Sequence, residues 1–273
     1  MFKKTVFPAL CITFSFTVPV SVAAFPHLDN RTTIIREDFD APYDSLSRWR
    51  FMIGSGLITT WDDTNRVVRV HGDFVDSTGC GSGHCGVFHL GETTYADSNY
   101  GYCSAMRINK GLETLGSAGS WSRFTLAHLC NLPIEDINST VCLANYGGNV
   151  GWYKMDMNPP HHTIFWQPPT LDLLQEGVWI QGVVECINDT TRCYISDDGI
   201  TWMQVGPASE VSIEACQIEI KVEVWNGDHT NAYTYDIEWD WMELYSFPDD
   251  LPVGVAAVVR RGLSWGEVKR LFQ

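Results

Sequence analysis

Positive charge is scarce in this chain. In 273 residues, 18 Lys plus Arg stand against 33 Asp plus Glu, a formal charge of −15. A surface this acidic repels phosphate backbones and excludes a nucleic-acid partner. Amphipathic helical periodicity is missing between residues 25 and 249, so helix bundles and alternating βα folds are excluded. Beyond the first two dozen residues no long apolar run occurs, which leaves no transmembrane span in the body. G-x-S-x-G, H-E-x-x-H and P-loop motifs are also absent. With 45% hydrophobic and 12% aromatic residues, the chain is nevertheless not a disordered acidic tail.

Residues 1–24 read as a secretory signal peptide. Lys3 and Lys4 form the positive start, an apolar stretch follows from Val6, and Val22 and Ala24 supply the small residues before cleavage. Its removal makes the remaining charge −17 and leaves eight cysteines: Cys80, Cys85, Cys103, Cys130, Cys142, Cys186, Cys193 and Cys216. An even count in a secreted chain predicts disulfides, while spacings without a C-x₂-C repeat disfavour a zinc site. Asn30, Asn138 and Asn188 open N-x-S/T sequons and are candidate glycosylation sites.

The body reads as strands. Alternation of apolar and polar residues recurs at Val68–His71, Gly101–Ile108, Arg123–Cys130, Val178–Ile187 and Arg192–Ser196, bounded by Gly, Asn and Asp. The expected fold is all-β: a two-sheet antiparallel jelly-roll sandwich over residues 25–249, followed by a short basic helical tail over 250–273. Two hairpins bring cysteines together, one pairing Cys186 with Cys193 and placing Asn188 in the loop. The other pairs Cys130 with Cys142 and places Asn138 in the loop. Cys80 with Cys85 and Cys103 with Cys216 complete the set.

A third hairpin is drawn from QIEIKVEVW (217–225) and NAYTYDIEWDW (231–241), joined at the turn dipeptide Asn226-Gly227. Pairing Trp225 with Ala232 lays Val224, Val222, Ile220 and Ile218 against Tyr233, Tyr235, Ile237 and Trp239. The other face sets Glu219 across from Glu238. Facing like charges destabilise a sheet, so something should relieve them. Three readings follow: a solvated face bridged by Lys221, a divalent cation held by Asp236, Glu238 or Asp240, or a glycosidase pair of Glu219 and Glu238. Retaining glycosidases need two carboxyls about 5–5.5 Å apart, one of them a general acid with a raised pKa.

Several segments carry a family resemblance: IIREDFD (34–40), WRF (49–51), SDDGITW (196–202) and the closing YDIEWDWMELY (235–245). Together they resemble concanavalin A-like lectin/glucanase jelly rolls over roughly residues 33–247. The resemblance implies a sugar-binding front sheet, and a structural Ca²⁺ held with help from Asp240. Glu238, Asp240 and Glu243 also fit the E-x-D-x-x-E motif of laminarinase-type glucanases. Plain alternation places Glu243 on the opposite face from Glu238, so the match reads as chance.

Aromatic rings on loops stack on the apolar face of a pyranose, which makes Trp152, Tyr153, Trp166 and Trp225 candidate carbohydrate contacts. Trp202 reads as a structural plug, and His161-His162 as a surface loop pair. The tail (251–273) carries +3, with a capping box at Ser264 and Glu267, and suits docking on an acidic surface or self-association. The leading expectation is a secreted, glycan-binding, lectin-like sandwich with structural Ca²⁺. Its rivals are a glycoside hydrolase acting on a polysaccharide through paired carboxylates, and an extracellular assembly subunit.

Overall fold

The computed structural model describes residues 26–248, apart from 45–47, 53–55, 75–81, 91–98, 113–119, 131–137, 147–148, 159–160, 168–174, 211–216 and 227–232. A single 3₁₀ turn (Leu28–Asn30) precedes fifteen described strands. They are β1 (Thr32–Glu37), β2 (Trp49–Met52), β3 (Ile58–Asp62), β4 (Val67–Phe74), β5 (Ser82–Leu90), β6 (Tyr100–Lys110), β7 (Ser120–Cys130) and β8 (Asn138–Tyr146). There follow β9 (Asn149–Asn158), β10 (His161–Gln167), β11 (Trp179–Ile187), β12 (Thr190–Ser196), β13 (Met203–Gln204), β14 (Gln217–Asn226) and β15 (Tyr233–Ser246). All pair antiparallel in two sheets. One runs β13-β12-β11-β6-β15-β4-β3, with β1 added along the second half of β15; the other runs β10-β9-β8-β7-β14-β5-β2. The expected all-β sandwich is therefore present. The expected helical tail lies outside the described residues, and no described helix is long and apolar enough to cross a membrane.

The two sheets share one core. Ile218, Ile220, Val222 and Val224 of β14 point into it, as do Tyr235, Ile237 and Trp239 of β15. This overturns the third hairpin drawn from the sequence. β14 pairs with β5 and β7, β15 pairs with β4, β6 and β1, and the two strands belong to opposite sheets. The apolar stripes do meet, but across the sandwich. Close approach depends on Gly182 of β11, where a Cβ would collide with Leu126 of β7.

The β11–β12 hairpin is tighter than expected. Asn188 and Asp189 form a two-residue turn with φ of 48° and 58°, the left-handed values that a type I′ turn requires. That turn fixes Cys186 opposite Thr191 and Cys193 opposite Val184, so the two cysteines are not a cross-strand pair. In the β7–β8 hairpin Cys142 faces Thr125 while Cys130 faces Asn138, which separates those two cysteines along the strands. Disulfides need Cα atoms roughly 4.4–6.8 Å apart, and a four-residue offset exceeds that. Cys142 and Cys193 are buried free thiols, so the pairings Cys186–Cys193 and Cys130–Cys142 do not form, while the pairing Cys103–Cys216 falls on a residue outside those described. Cys80 and Cys216 lie outside the described residues. Asn138 opens β8 rather than lying in a loop, and His161-His162 open β10. Asn30 and Asn188 are exposed.

A second cluster covers the outer face of the eight-stranded sheet: Cys103, Val183, Ile187, Tyr194, Trp202, Tyr245 and Phe247, with Leu28 packed on it. Trp202 thus plugs this layer. The turn before it is held by Asp198, whose Oδ1 accepts from the Ile200 and Thr201 amides at 2.7 and 2.6 Å, and from Ser196 Oγ at 3.0 Å. The N-terminal segment straps the same face. The His27 amide and ring meet buried Glu185, and Arg31, Thr33 and Arg36 meet buried Glu243.

Candidate functional site

Because the apolar residues of β14 point inward, Glu219, Lys221 and Glu223 point out from the seven-stranded sheet. On neighbouring β7, Arg123 lies beside Glu223 and His128 beside Glu219. These two β7 residues are five apart, and strict alternation would place them on opposite faces. A bulge between Thr125 and Ala127 resets the parity. Phe124, Leu126, Ala127 and Leu129 all enter the core, and both Arg123 and His128 reach the outer face.

The result is a continuous row, His128–Glu219–Lys221–Glu223–Arg123. Lys221 Nζ lies 2.9 Å from Glu219 Oε1 and 3.1 Å from Glu223 Oε1. His128 Nδ1 contacts the same Glu219 oxygen, and the Arg123 guanidinium contacts Glu223. Glu219, Glu223 and His128 are only 3–4% exposed although they face away from the core. Burial pushes the Glu219 carboxyl upward, but His128 and Lys221 outweigh it and hold the group well below the usual carboxylate range. Burial pushes the His128 imidazole down, against the pull of Glu219, which favours its neutral form. Its Nε2 is buried with no hydrogen-bond partner among the described residues. The row continues into a softer patch of Cys142, Ala144, Tyr153 and Met155, which Arg123 touches at the Met155 sulfur (3.4 Å).

The residues expected to form the site scatter. Glu219 and Glu238 stand on different sheets, each pointing outward, and cannot act on one bond. Trp152 is fully buried in the main core and unavailable to a sugar. Tyr153, its neighbour, does reach the outer face of the seven-stranded sheet. Trp166 stands opposite Tyr153 in the β9–β10 register, and Trp225 opposite Trp121 and Ser82; their side chains lie outside the described residues.

The eight-stranded sheet treats its own outward carboxylates differently. Arg69 grips Asp236 with two 2.7 Å hydrogen bonds, and Arg107 donates to Glu238 at 2.9 Å while stacking 4.6 Å from the Trp179 ring centroid. Asp240 lies at a bulge between Trp239 and Trp241, its carboxyl raised chiefly by burial. This bulge corrects one step of the sequence reading, because Met242 and Leu244 return to the core and Glu243 therefore shares the outer face with Glu238. Both are engaged by guanidinium groups, Glu243 by Arg31 at 3.3 Å and Arg36 at 3.1 Å. Asp236 and Asp240 do not fit a Ca²⁺ site. Ca²⁺ takes six to eight oxygens, whereas both Asp236 oxygens already serve Arg69. Among the described residues, no group of three or more His, Cys, Asp or Glu is placed to hold a metal ion.

The architecture is that of the concanavalin A-like glucanase sandwich. Similar solved structures include the endo-1,3-beta-glucanase of Streptomyces sioyaensis (TM-score 0.51, 13% identity, 82% of this chain and 98% of that one). A non-specific endo-beta-1,3(4)-glucanase from family GH16 is similar at TM-score 0.52 and 9% identity, covering 82% of this chain and 94% of that one. The CBM2 module of the evolved Dit of Lactobacillus casei BL23 phage J-1 is similar at TM-score 0.52 and 8% identity, covering 82% and 99%. The chain spans only 39% and 38% of two longer proteins it also matches, a GH43 protein of Bacillus licheniformis and a xylan beta-1,4-xylosidase of Bacillus halodurans. No family model and no curated protein matches it. At these identities the likeness establishes the fold.

Proposed function

We propose that this chain is a secreted glycan-binding protein, lectin-like, whose binding face is the outer face of the seven-stranded sheet around Lys221. Glucanases and a carbohydrate-binding module among the structures of the same fold support a glycan ligand. The observation that carries the reading is the ammonium of Lys221 between two buried carboxylates. A row of alternating donors and acceptors suits the hydroxyls of a sugar, which both give and take hydrogen bonds. Arg107, Arg69 and their acids on the other sheet are paired for structure and stand outside the proposed site.

Hydrolysis is the competing reading, and the same geometry weighs against it. Both carboxylates touch one ammonium, so their nearer oxygens are no more than about 6 Å apart, within the span that glycosidase pairs use. A hydrolase, however, needs one of the two protonated as general acid. His128 and Lys221 hold Glu219 well below the usual carboxylate range, so it is ionised, and Glu223 sits between Lys221 and Arg123.

A glycan panel tests the proposal. Lys221→Met and Glu219→Gln are expected to lose at least tenfold in affinity while keeping wild-type circular dichroism. Unchanged binding in both variants overturns the site. Release of reducing sugar by the wild type, abolished in Glu223→Gln, overturns the lectin reading in favour of a hydrolase.

A further inference from the structure

Resting on that reading, we infer that His128 is a proton-operated switch for the glycan face, holding it competent at neutral pH and closing it in acid. His128 Nδ1 and Lys221 Nζ both contact Oε1 of Glu219. While the imidazole is neutral, the ammonium is, among the described residues, the only full positive charge on that oxygen, and the carboxylate can still accept from a ligand hydroxyl. Two Glu then balance Lys221 and Arg123, and the row is neutral.

Protonation changes both counts. The imidazolium becomes a second cation at Glu219 and takes its charge at close range, so the row becomes net positive. Lys221, its hold on Glu219 weakened, shifts towards Glu223, which already pairs with Arg123. The carboxylate that faced the ligand is then occupied, and the ammonium has moved away.

The groups facing His128 make this a local event. They are Glu219 and Lys221 from β14 and Arg123 from its own strand; on β8 the residue in register is the uncharged Thr140. Among the described residues the buried Nε2 has no competing acceptor, so the incoming proton is felt chiefly through Glu219. Burial places the transition below the ordinary imidazole value.

Two arms test the switch on the full chain. In the first, without any glycan, NMR follows the His128 ring protons and the Lys221 Nζ signal from pH 8 to pH 4. A common midpoint below 6.5, with the Lys221 movement abolished in His128→Gln, is expected. Independent movement of Lys221, or a His128 ring that does not titrate before the protein unfolds, overturns the switch. In the second arm, laminarin affinity is measured by calorimetry at pH 7.5 and pH 5. A loss of tenfold or more in the wild type, absent in His128→Gln, is expected; equal affinity at both pH values overturns the regulation. If laminarin binds at neither pH, this polysaccharide is not the glycan of the proposed function, and the first arm alone decides the switch.

Discussion

Glu219 and Glu238 point away from each other, out of opposite surfaces of the sandwich, one from β14 of the seven-stranded sheet and the other from β15 of the eight-stranded sheet. With sheets packed about 10 Å apart and both side chains outward, no single ligand spans the two carboxylates. Their surroundings differ as much as their positions. Glu219 is nearly sealed and shared between an imidazole and an ammonium, whereas Glu238 lies at 12% exposure beside the Arg107 guanidinium.

Substitution should separate them. Glu238→Gln is expected to leave glycan affinity unchanged and to cost about 1 kcal/mol of stability or less, because Arg107 is one-third exposed and solvent screens the pair. Glu219→Gln is expected to lower affinity at least tenfold. Denaturant unfolding alongside the binding assay checks both; an affinity loss in Glu238→Gln would place the site on the wrong sheet.

The sequence carried the fold class well and the site poorly, for reasons visible in single residues. Alternation in QIEIKVEVW and NAYTYDIEWDW marks each strand's inner face correctly. Two alternating strands joined at an Asn-Gly read the same whether they pair edge to edge or cross between sheets, since both arrangements put the apolar stripes in contact. Bulges hid the rest. One extra residue near Leu126 brings Arg123 and His128 to one face, and another near Asp240 brings Glu238 and Glu243 to one face. Alternation taken at face value separates both pairs. An odd spacing between charged residues on a strand flanked by two consecutive apolar residues, as at Leu126-Ala127, was the available signal.

Cysteine chemistry gives a second outcome. Burial pushes the Cys142 thiol up to about 11 and the Cys193 thiol up to about 12, and it raises Cys103 further. The thiolate is the reactive form. Native protein is therefore expected to leave Cys103, Cys142 and Cys193 unlabelled by iodoacetamide at pH 8, with labelling after denaturation in the absence of reductant. Peptide mass spectrometry checks it. A linked Cys186–Cys193 peptide would contradict the register set by Asn188 and Asp189.

The open end of the sandwich depends on a fully buried pair. Lys154 Nζ contacts Asp156 Oδ2 at 2.8 Å and donates to the carbonyls of Thr191 and Pro207 at 3.1 and 3.2 Å. It thereby ties β9 of one sheet to β12 and the segment after β13. Lys154→Met leaves Asp156 charged and buried, and is expected to cost about 3–5 kcal/mol. Lys154→Met with Asp156→Leu should recover much of that, because a matched apolar pair removes both desolvation costs. Urea unfolding of the two variants is the check, and a double variant no better than the single would show that the remaining hydrogen bonds, not the charge, hold this end.

Acid should loosen the turn at Asp198 before it melts the core. Burial pushes this carboxyl up, but the Thr201 and Ile200 amides and the Thr201 and Ser196 hydroxyls outweigh it, so the folded value lies below the ordinary 3.8. A carboxyl depressed on folding stabilises the protein at pH above its unfolded value and loses that contribution as pH falls through the lower, folded one. The turn's contribution should therefore be complete at pH 5 and fade below pH 4. Asp198→Asn is expected to lower the urea midpoint at pH 7 and to narrow the gap from wild type at pH 3. A gap of equal size at both pH values would mean that the asparagine fails through lost turn geometry and not through lost charge.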